Sequence, residues 1–220
     1  MAAPKASILA IALCGGLALA LSGCASQRAA VSAGGAFGTV SAAHYGAITD
    51  DRFPIPALDL ATIDPALLRQ EVAFSRPYRP GTIVVVIGER RLYLVEPGGK
   101  AIRYAVGVGR QDALNFRGAA VVGRKASWPT WTPTASMMER IPHYREYAGG
   151  LEGGPDNPLG ARALYLYRGG RDTHFRLHGT NEPMTIGNAV SSGCIRLFNH
   201  DIIDLYGRVS LGTPVIVVGS

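Results

Sequence analysis

At 220 residues, of which 47% are apolar, the chain is long enough to bury one sizeable core and short for two, so one folded domain plus a targeting segment is expected. Lysine and arginine total 22 against 16 acids, but the excess is scattered and forms no basic run, which argues against a nucleic-acid partner. A mildly cationic surface suits an anionic polymer such as the cell wall, and many secreted proteins carry one with no charged partner, so charge assigns no function.

Lys5 is followed by an apolar run from Ile8 to Leu21, the length of a secretory h-region and short for a membrane-spanning helix. Residues 1–23 are therefore expected to be an export signal. The run ends in Leu21-Ser22-Gly23-Cys24, which resembles the lipobox of bacterial lipoproteins, where the signal is cut before a cysteine lipidated on sulfur. That resemblance implies lipidation at Cys24, a membrane anchor through the N-terminal lipid and a place on the periplasmic side of the cell envelope. Ala25, where aspartate would retain the protein, implies the outer membrane. Cys14 leaves with the signal and Cys24 carries lipid, so of the 3 cysteines only Cys194 remains as a thiol in the exported domain. An unpaired thiol in an oxidising compartment is a liability unless it is buried or chemically needed.

Residues 24–43 are dominated by Ala, Gly and Ser, with too little apolar bulk to fold, and read as a flexible tether. Residues 44–81 hold Pro54, Pro56, Pro65, Pro77 and Pro80 and read as an irregular arm packed on the domain. Within it Pro65 to Ala73 is a helical candidate, capped by Asp64 with Pro65 in the first helical position. His44, at the start of this region, is expected to be solvated. From residue 82 to residue 220 the pattern is mainly β: Thr82 to Ile87, Arg91 to Val95, Ile102 to Val108, Ala119 to Arg124, Ala163 to Tyr167, Thr173 to His178 and Pro214 to Val218 are strand candidates rich in Val, Ile and Tyr. The stretch from Trp128 to Pro158 lacks a period and reads as a long loop or lid. Asn199 to Val209 reads as a helix, with Asn199 as N-cap and Asp201 in its first turn.

In Thr173 to His178, Phe175 and Leu177 alternate with His174, Arg176 and His178, so a strand places the polar set on one face. Later comes Ser191-Ser192-Gly193-Cys194-Ile195-Arg196, whose serines and glycine mark a tight loop. A thiol of ordinary pKa, about 8.5, is only partly ionised near neutrality, and an imidazole nearby can take its proton to give a nucleophile. The Gly193 and Cys194 backbone N–H groups, with Ser192 beside them, would suit an attacked carbonyl oxygen. Arg196 suits either a substrate carboxylate or a structural ion pair. Two rivals stand beside this. Cysteine is commonly a small buried hydrophobe, and His174, His178, Cys194 and His200 have zinc-ligand chemistry but no specific metal motif.

Taken together, His178-Gly179-Thr180-Asn181, Ile186-Gly187 and Ser191-Ser192-Gly193-Cys194-Ile195-Arg196 resemble the signature of L,D-transpeptidases with a YkuD-type catalytic domain. The resemblance extends more loosely over residues 82 to 218, through Tyr104 to Gly109, Trp128 to Pro133 and Asn157 to Gly160. Many members carry histidine where this chain has Ser192, and a longer spacer after the first histidine; the shorter form is similar to a Gram-negative subgroup. The resemblance implies a YkuD-like β-sandwich with a short helix after the cysteine loop.

By the same resemblance Cys194 is the nucleophile, His178 its base, the Gly179 carbonyl the group orienting the imidazole, and the Gly193 and Cys194 amides the oxyanion donors. The donor is a peptidoglycan tetrapeptide stem, which passes through a thioester with loss of its terminal D-alanine. An amine of a second stem gives a 3-3 cross-link, a lysine of an envelope protein as acceptor gives anchoring, and water gives trimming. No cofactor or metal is implied. Tyr165, Tyr167, Arg176, Arg196 and Ser192 are candidates to line the donor site, with Met184, Trp128 and Trp131 to cover it; core or lid packing is the plain alternative. A carboxypeptidase or amide hydrolase with the same thiol, and a non-catalytic peptidoglycan-binding lipoprotein, are the competing functions.

Overall fold

The computed structural model describes residues 1–2, 41–111 and 114–219. The expected signal from residue 3 onward, with Cys14, then Cys24 and the tether up to residue 40, lie outside the described residues. Eleven strands form in chain order: β1 (Gln70–Ala73), β2 (Ile83–Val86), β3 (Arg91–Glu96), β4 (Lys100–Ala105), β5 (Val108–Gly109), β6 (Gly118–Ser127), β7 (Arg162–Arg168), β8 (Arg171–His178), β9 (Ala189–Ser191), β10 (Ile195–Arg196) and β11 (Pro214–Val218). Among the described residues two α-helices accompany them, α1 (Ala135–Arg140) and α2 (Asn199–Arg208). The chain is mainly β, as its alternating Val, Ile and Tyr pattern requires.

Nine strands join in one sheet of order β1-β4-β3-β2-β11-β6-β7-β8-β10, and β5 pairs with β9 in a separate parallel ribbon. The β2–β11 and β8–β10 pairs are parallel. One core cluster takes Ile83 and Val85 of β2, Leu92 and Leu94 of β3, Leu164 and Leu166 of β7, Leu177 of β8 and Ile195 of β10. The sandwich is thus made by a single hydrogen-bonded sheet whose two halves share a core. Strand β2 is buried at every residue because its other face, Val84 and Val86, packs on Phe74 and Val95, which explains an unbroken apolar run there.

Helix α2 drops Ile202 and Leu205 into the main core. Its last carbonyls are met by Lys125, whose Nζ donates to the Tyr206 and Val209 oxygens at 2.7 and 2.6 Å, satisfying acceptors that a helix end leaves open. The N-cap is Phe198, with no side-chain cap bond, which corrects the assignment to Asn199. The Asn199 Oδ1 instead accepts from the Ala161 N–H at 3.0 Å, because that buried donor has the greater need.

Three further expectations change. Pro65–Leu67 is only a short 3-10 turn, capped by Asp64 through the Ala66 N–H; Gln70–Ala73 of the expected helix is β1, which pairs antiparallel with β4 from Gln70↔Arg103 to Ala73↔Lys100 and forms the edge of the sheet. Ladder bonds to an open sheet edge outweigh the weak helical preference of four residues. The stretch after Trp128 carries α1, capped by the Thr134 side chain, and a 3-10 segment Pro142–Tyr147. It is pinned by Asn157, whose Nδ2 donates to the carbonyls of Pro129, Leu151 and Glu152. His44 is not solvated: its Nε2 lies 3.0 Å from Oδ1 of the fully buried Asp201, which the Tyr45 hydroxyl also bonds at 3.0 Å.

The arm packs on the domain in two patches. Tyr45, Ile63 and Leu68 cover Ala105, Ile186 and Phe198. Ile55, with Ile48 and Phe53, meets Trp128, Ala161 and Ile203. Among the described residues no helix is long and apolar enough to cross a membrane.

Candidate active site

The site grows from the parallel pairing of β8 and β10, in register Ile195↔Leu177 and Arg196↔His178. Ile195 and Leu177 both point into the core. Alternation therefore turns Arg176, His178 and Arg196 to the opposite face, and Cys194, just before β10, to that same face beside Arg176. Strand spacing and rise put the Cα atoms of Cys194 and His178 about 8 Å apart on this lattice, within joint reach of a thiol and an imidazole.

A closed turn holds the cysteine. The Ser191 hydroxyl donates to the Cys194 carbonyl at 2.7 Å and accepts from the Gly193 N–H at 3.0 Å. Gly193 has φ +125°, and a Cβ there would sit 2.3 Å from the Leu114 carbonyl oxygen, so only glycine fits. This corrects the role expected for Gly193: its N–H is already used by Ser191, and its contribution is conformational. The Cys194 and Ser192 N–H groups make no hydrogen bond among the described residues. The turn is pinned from outside by Gly107, which exchanges two backbone bonds with Arg196, both 2.9 Å. Ser191 was not singled out in the sequence; its place two residues before Gly193 in a Ser-Ser-Gly-Cys run was the available signal.

His178 closes β8 and is 4% exposed. Its Nδ1 lies 2.6 Å from the Gly179 carbonyl oxygen, so a proton on Nδ1 is donated there and Nε2 is left as the basic nitrogen. Burial, then the charge of Arg196, lowers its pKa to about 3, against the opposing pull of the Gly179 carbonyl. Burial also pushes the Cys194 thiol up, while the Arg176 backbone N–H and the Arg176 and Arg196 charges act in the other direction. The shifts favour a neutral imidazole and a neutral thiol at rest, so an attack by this sulfur would need proton transfer to accompany it.

The remaining expected residues divide. Arg176 is held by a bidentate pair with Asp172, at 2.8 and 3.0 Å, and its guanidinium carbon lies 4.2 Å from the Tyr165 ring centre. Arg196 pairs with Glu182 at 2.8 Å. Met184 is 63% exposed on the rim of a cleft of about 310 Å³ that also takes in Pro54 to Asp59 of the arm; neither Cys194 nor His178 lines it. Trp128 is no lid: its ring packs edge-on against Phe53 and its Nε1 donates to Asp51 at 2.8 Å. Trp131 packs on Tyr144 and Tyr147. Among the described residues no three potential ligands are grouped to hold a metal, so the His174, His178, Cys194 and His200 set does not assemble; His200 instead places its Nε2 2.9 Å from the Gly46 carbonyl oxygen.

Residues 80–217 match the family model of the YkuD L,D-transpeptidase catalytic domain. The chain belongs to this family. It is 39% identical over 142 residues to the probable L,D-transpeptidase YcfS of Escherichia coli, covering 63% of this chain and 44% of the relative. It is 38% identical over 160 residues to the probable L,D-transpeptidase ErfK/SrfK of the same organism, covering 68% and 47%. The chain thus spans about half the length of these curated relatives. A solved structure from Brucella melitensis, described as a probable carnitine operon oxidoreductase, is 50% identical, covering 71% of this chain and 96% of that one at a TM-score of 0.49. That description belongs to the Brucella protein alone. With serine at position 192, His178 supplies an imidazole on the cysteine face.

Proposed function

We propose that this YkuD-family protein is a cysteine-dependent L,D-transpeptidase of the cell envelope, acting on peptidoglycan tetrapeptide stems. The observation that supports it most is the shared face of β8 and β10, which sets Cys194 and a His178 oriented through Gly179 on adjacent strands. In the reaction His178 Nε2 takes the thiol proton as sulfur bonds the carbonyl carbon of the third stem residue. The Cys194 N–H, with Ser192 beside it, donates to the oxyanion. Collapse breaks the C–N bond, the imidazolium returns its proton to the leaving D-alanine amine, and a thioester remains. An acceptor amine attacks the thioester, gives up a proton and releases the thiol. An amine of a second stem yields a 3-3 cross-link; a lysine of an envelope protein yields an anchor.

Residues 1–23 act in this proposal as a lipoprotein signal, Cys24 carries the lipid, and residues 24–43 tether the domain on the periplasmic side of the outer membrane. The test is mass spectrometry of purified tetrapeptide muropeptides incubated with the protein and with Cys194→Ala. D-Alanine release coupled to a cross-linked dimer, absent in the variant, is the expected result. Release without any amide product, even when an amine acceptor is supplied in excess, would make the protein a hydrolase. Equal release by the variant would overturn the thiol mechanism.

A further inference from the structure

The cysteine face continues beyond β8. In register, Arg176 of β8 lies opposite Tyr165 of β7, and Tyr165 lies opposite Arg124 of β6. Arg176, Tyr165 and Arg124 therefore form one row across three strands, continued by Cys194 just before β10, on one side of the sheet. Arg124 occupies its place only because β6 is irregular. Val122 pairs with Leu166, and regular pairing would set Arg124 against Leu164, a core residue; the shift at Gly123 sets it against Tyr165 instead. A Cβ on Gly123 would lie 2.3 Å from the Tyr167 ring, so the bulge depends on glycine. Bulges commonly re-aim a side chain in this way.

The re-aimed guanidinium is exposed, lies 4.1 Å from the Tyr165 ring centre and places Nη2 3.2 Å from the Tyr165 hydroxyl. Among the described residues no acid pairs with it, whereas Arg162, Arg176 and Arg196 each hold a carboxylate of the chain. A planar cation set on an aromatic ring, with its outer donors facing solvent, is suited to bidentate capture of a carboxylate. Two strand spacings put the Tyr165 position about 10 Å from Cys194, and about two extended residues with the reach of a carboxylate side chain cover that.

We propose that Arg124 is a specificity residue that binds a free carboxylate carried by one of the two stem residues that precede the attacked one. This rests on the peptide-donor reading above. The contact ties the donor down along the row, so that its scissile carbonyl lies at Cys194, and it discriminates against donors whose carboxylate is amidated.

Two synthetic stem tetrapeptides that differ only in a free carboxylate or a carboxamide at that position test it, by calorimetric binding and by D-alanine release, with the protein, Arg124→Gln and Arg124→Lys. The expected result is a preference of about tenfold for the free acid, seen in Kd and in KM more than in kcat. That preference shrinks below about twofold in Arg124→Gln and is partly kept in Arg124→Lys. An equal preference in all three proteins, or loss of both peptides alike in Arg124→Gln, would overturn the assignment, as would no binding of either peptide. Binding with the expected preference but no D-alanine release by the unaltered protein would uphold Arg124 and sink the transpeptidase reading.

Discussion

The Ser191 hydroxyl donates to the Cys194 carbonyl at 2.7 Å while it accepts from Gly193, so one buried oxygen fixes the backbone on which the thiol sits. Removing it leaves a buried N–H and a carbonyl without partners, a cost of about 1–3 kcal/mol. Ser191→Ala is expected to lower kcat for D-alanine release about tenfold or more, with a smaller change in KM, because loop geometry matters most at the transition state. Steady-state kinetics beside urea denaturation separate this from simple unfolding: a variant destabilised but fully active at low temperature would contradict it.

Gly193 has a stricter requirement. Alanine at φ +125° is strained by about 1–3 kcal/mol, and its methyl would meet the Leu114 oxygen. Gly193→Ala is expected to unfold at lower denaturant and to lose most activity. An unchanged midpoint with unchanged turnover would show that the loop relaxes without cost.

Burial raises the Cys194 pKa and lowers that of His178 to about 3, so the neutral form of each group is favoured between pH 5 and 8 in the free protein. The thiolate fraction then grows about tenfold for each pH unit below the thiol pKa. Alkylation of Cys194 by iodoacetamide should climb steadily from pH 6 to pH 9, with no step near the ordinary histidine pKa. A plateau already reached at pH 6 would mean that a thiolate–imidazolium pair exists before substrate binds.

Much of this was legible because the physical signals are local. The alternation of Phe175 and Leu177 with Arg176 and His178 gives β8 its faces, and Ile83 to Val86 reads as a buried strand. The short pieces that build the site escaped: Ala189–Ser191 and Ile195–Arg196 are too brief and too Ser-rich to show a period, and their pairing is set by tertiary ladders. The contact of His44 with Asp201 spans 157 positions, and nothing around His44 announces a buried carboxylate far along the chain. The shift that turns Arg124 outward is equally silent, because Gly123 within a strand pattern can mark a bulge but does not show which way the strand turns.

Asp51 carries the last prediction, on how the arm is attached. Its carboxylate pairs with Arg162 and accepts from the Trp128 Nε1 at 2.8 Å, with the Arg162 and Asp51 side chains 15% and 10% exposed. Burial pushes its pKa up, but the bonds from Arg162, Trp128 and the Arg52 N–H outweigh it and hold the carboxyl below its usual range. A depressed folded pKa means that the unfolded chain binds the proton more readily, so this contribution is present above the unfolded value, about 3.9, and is lost as pH falls through the folded one. Asp51→Ala should therefore destabilise the protein by about 2 kcal/mol at pH 7, the scale of hydrogen bonds to a charged group, and by progressively less below pH 4. Urea unfolding of both proteins at pH 7, 5 and 3 decides it. A cost that stays constant across that range would mean that Asp51 acts through packing rather than charge, alongside the apolar contacts of Phe53 and Ile55.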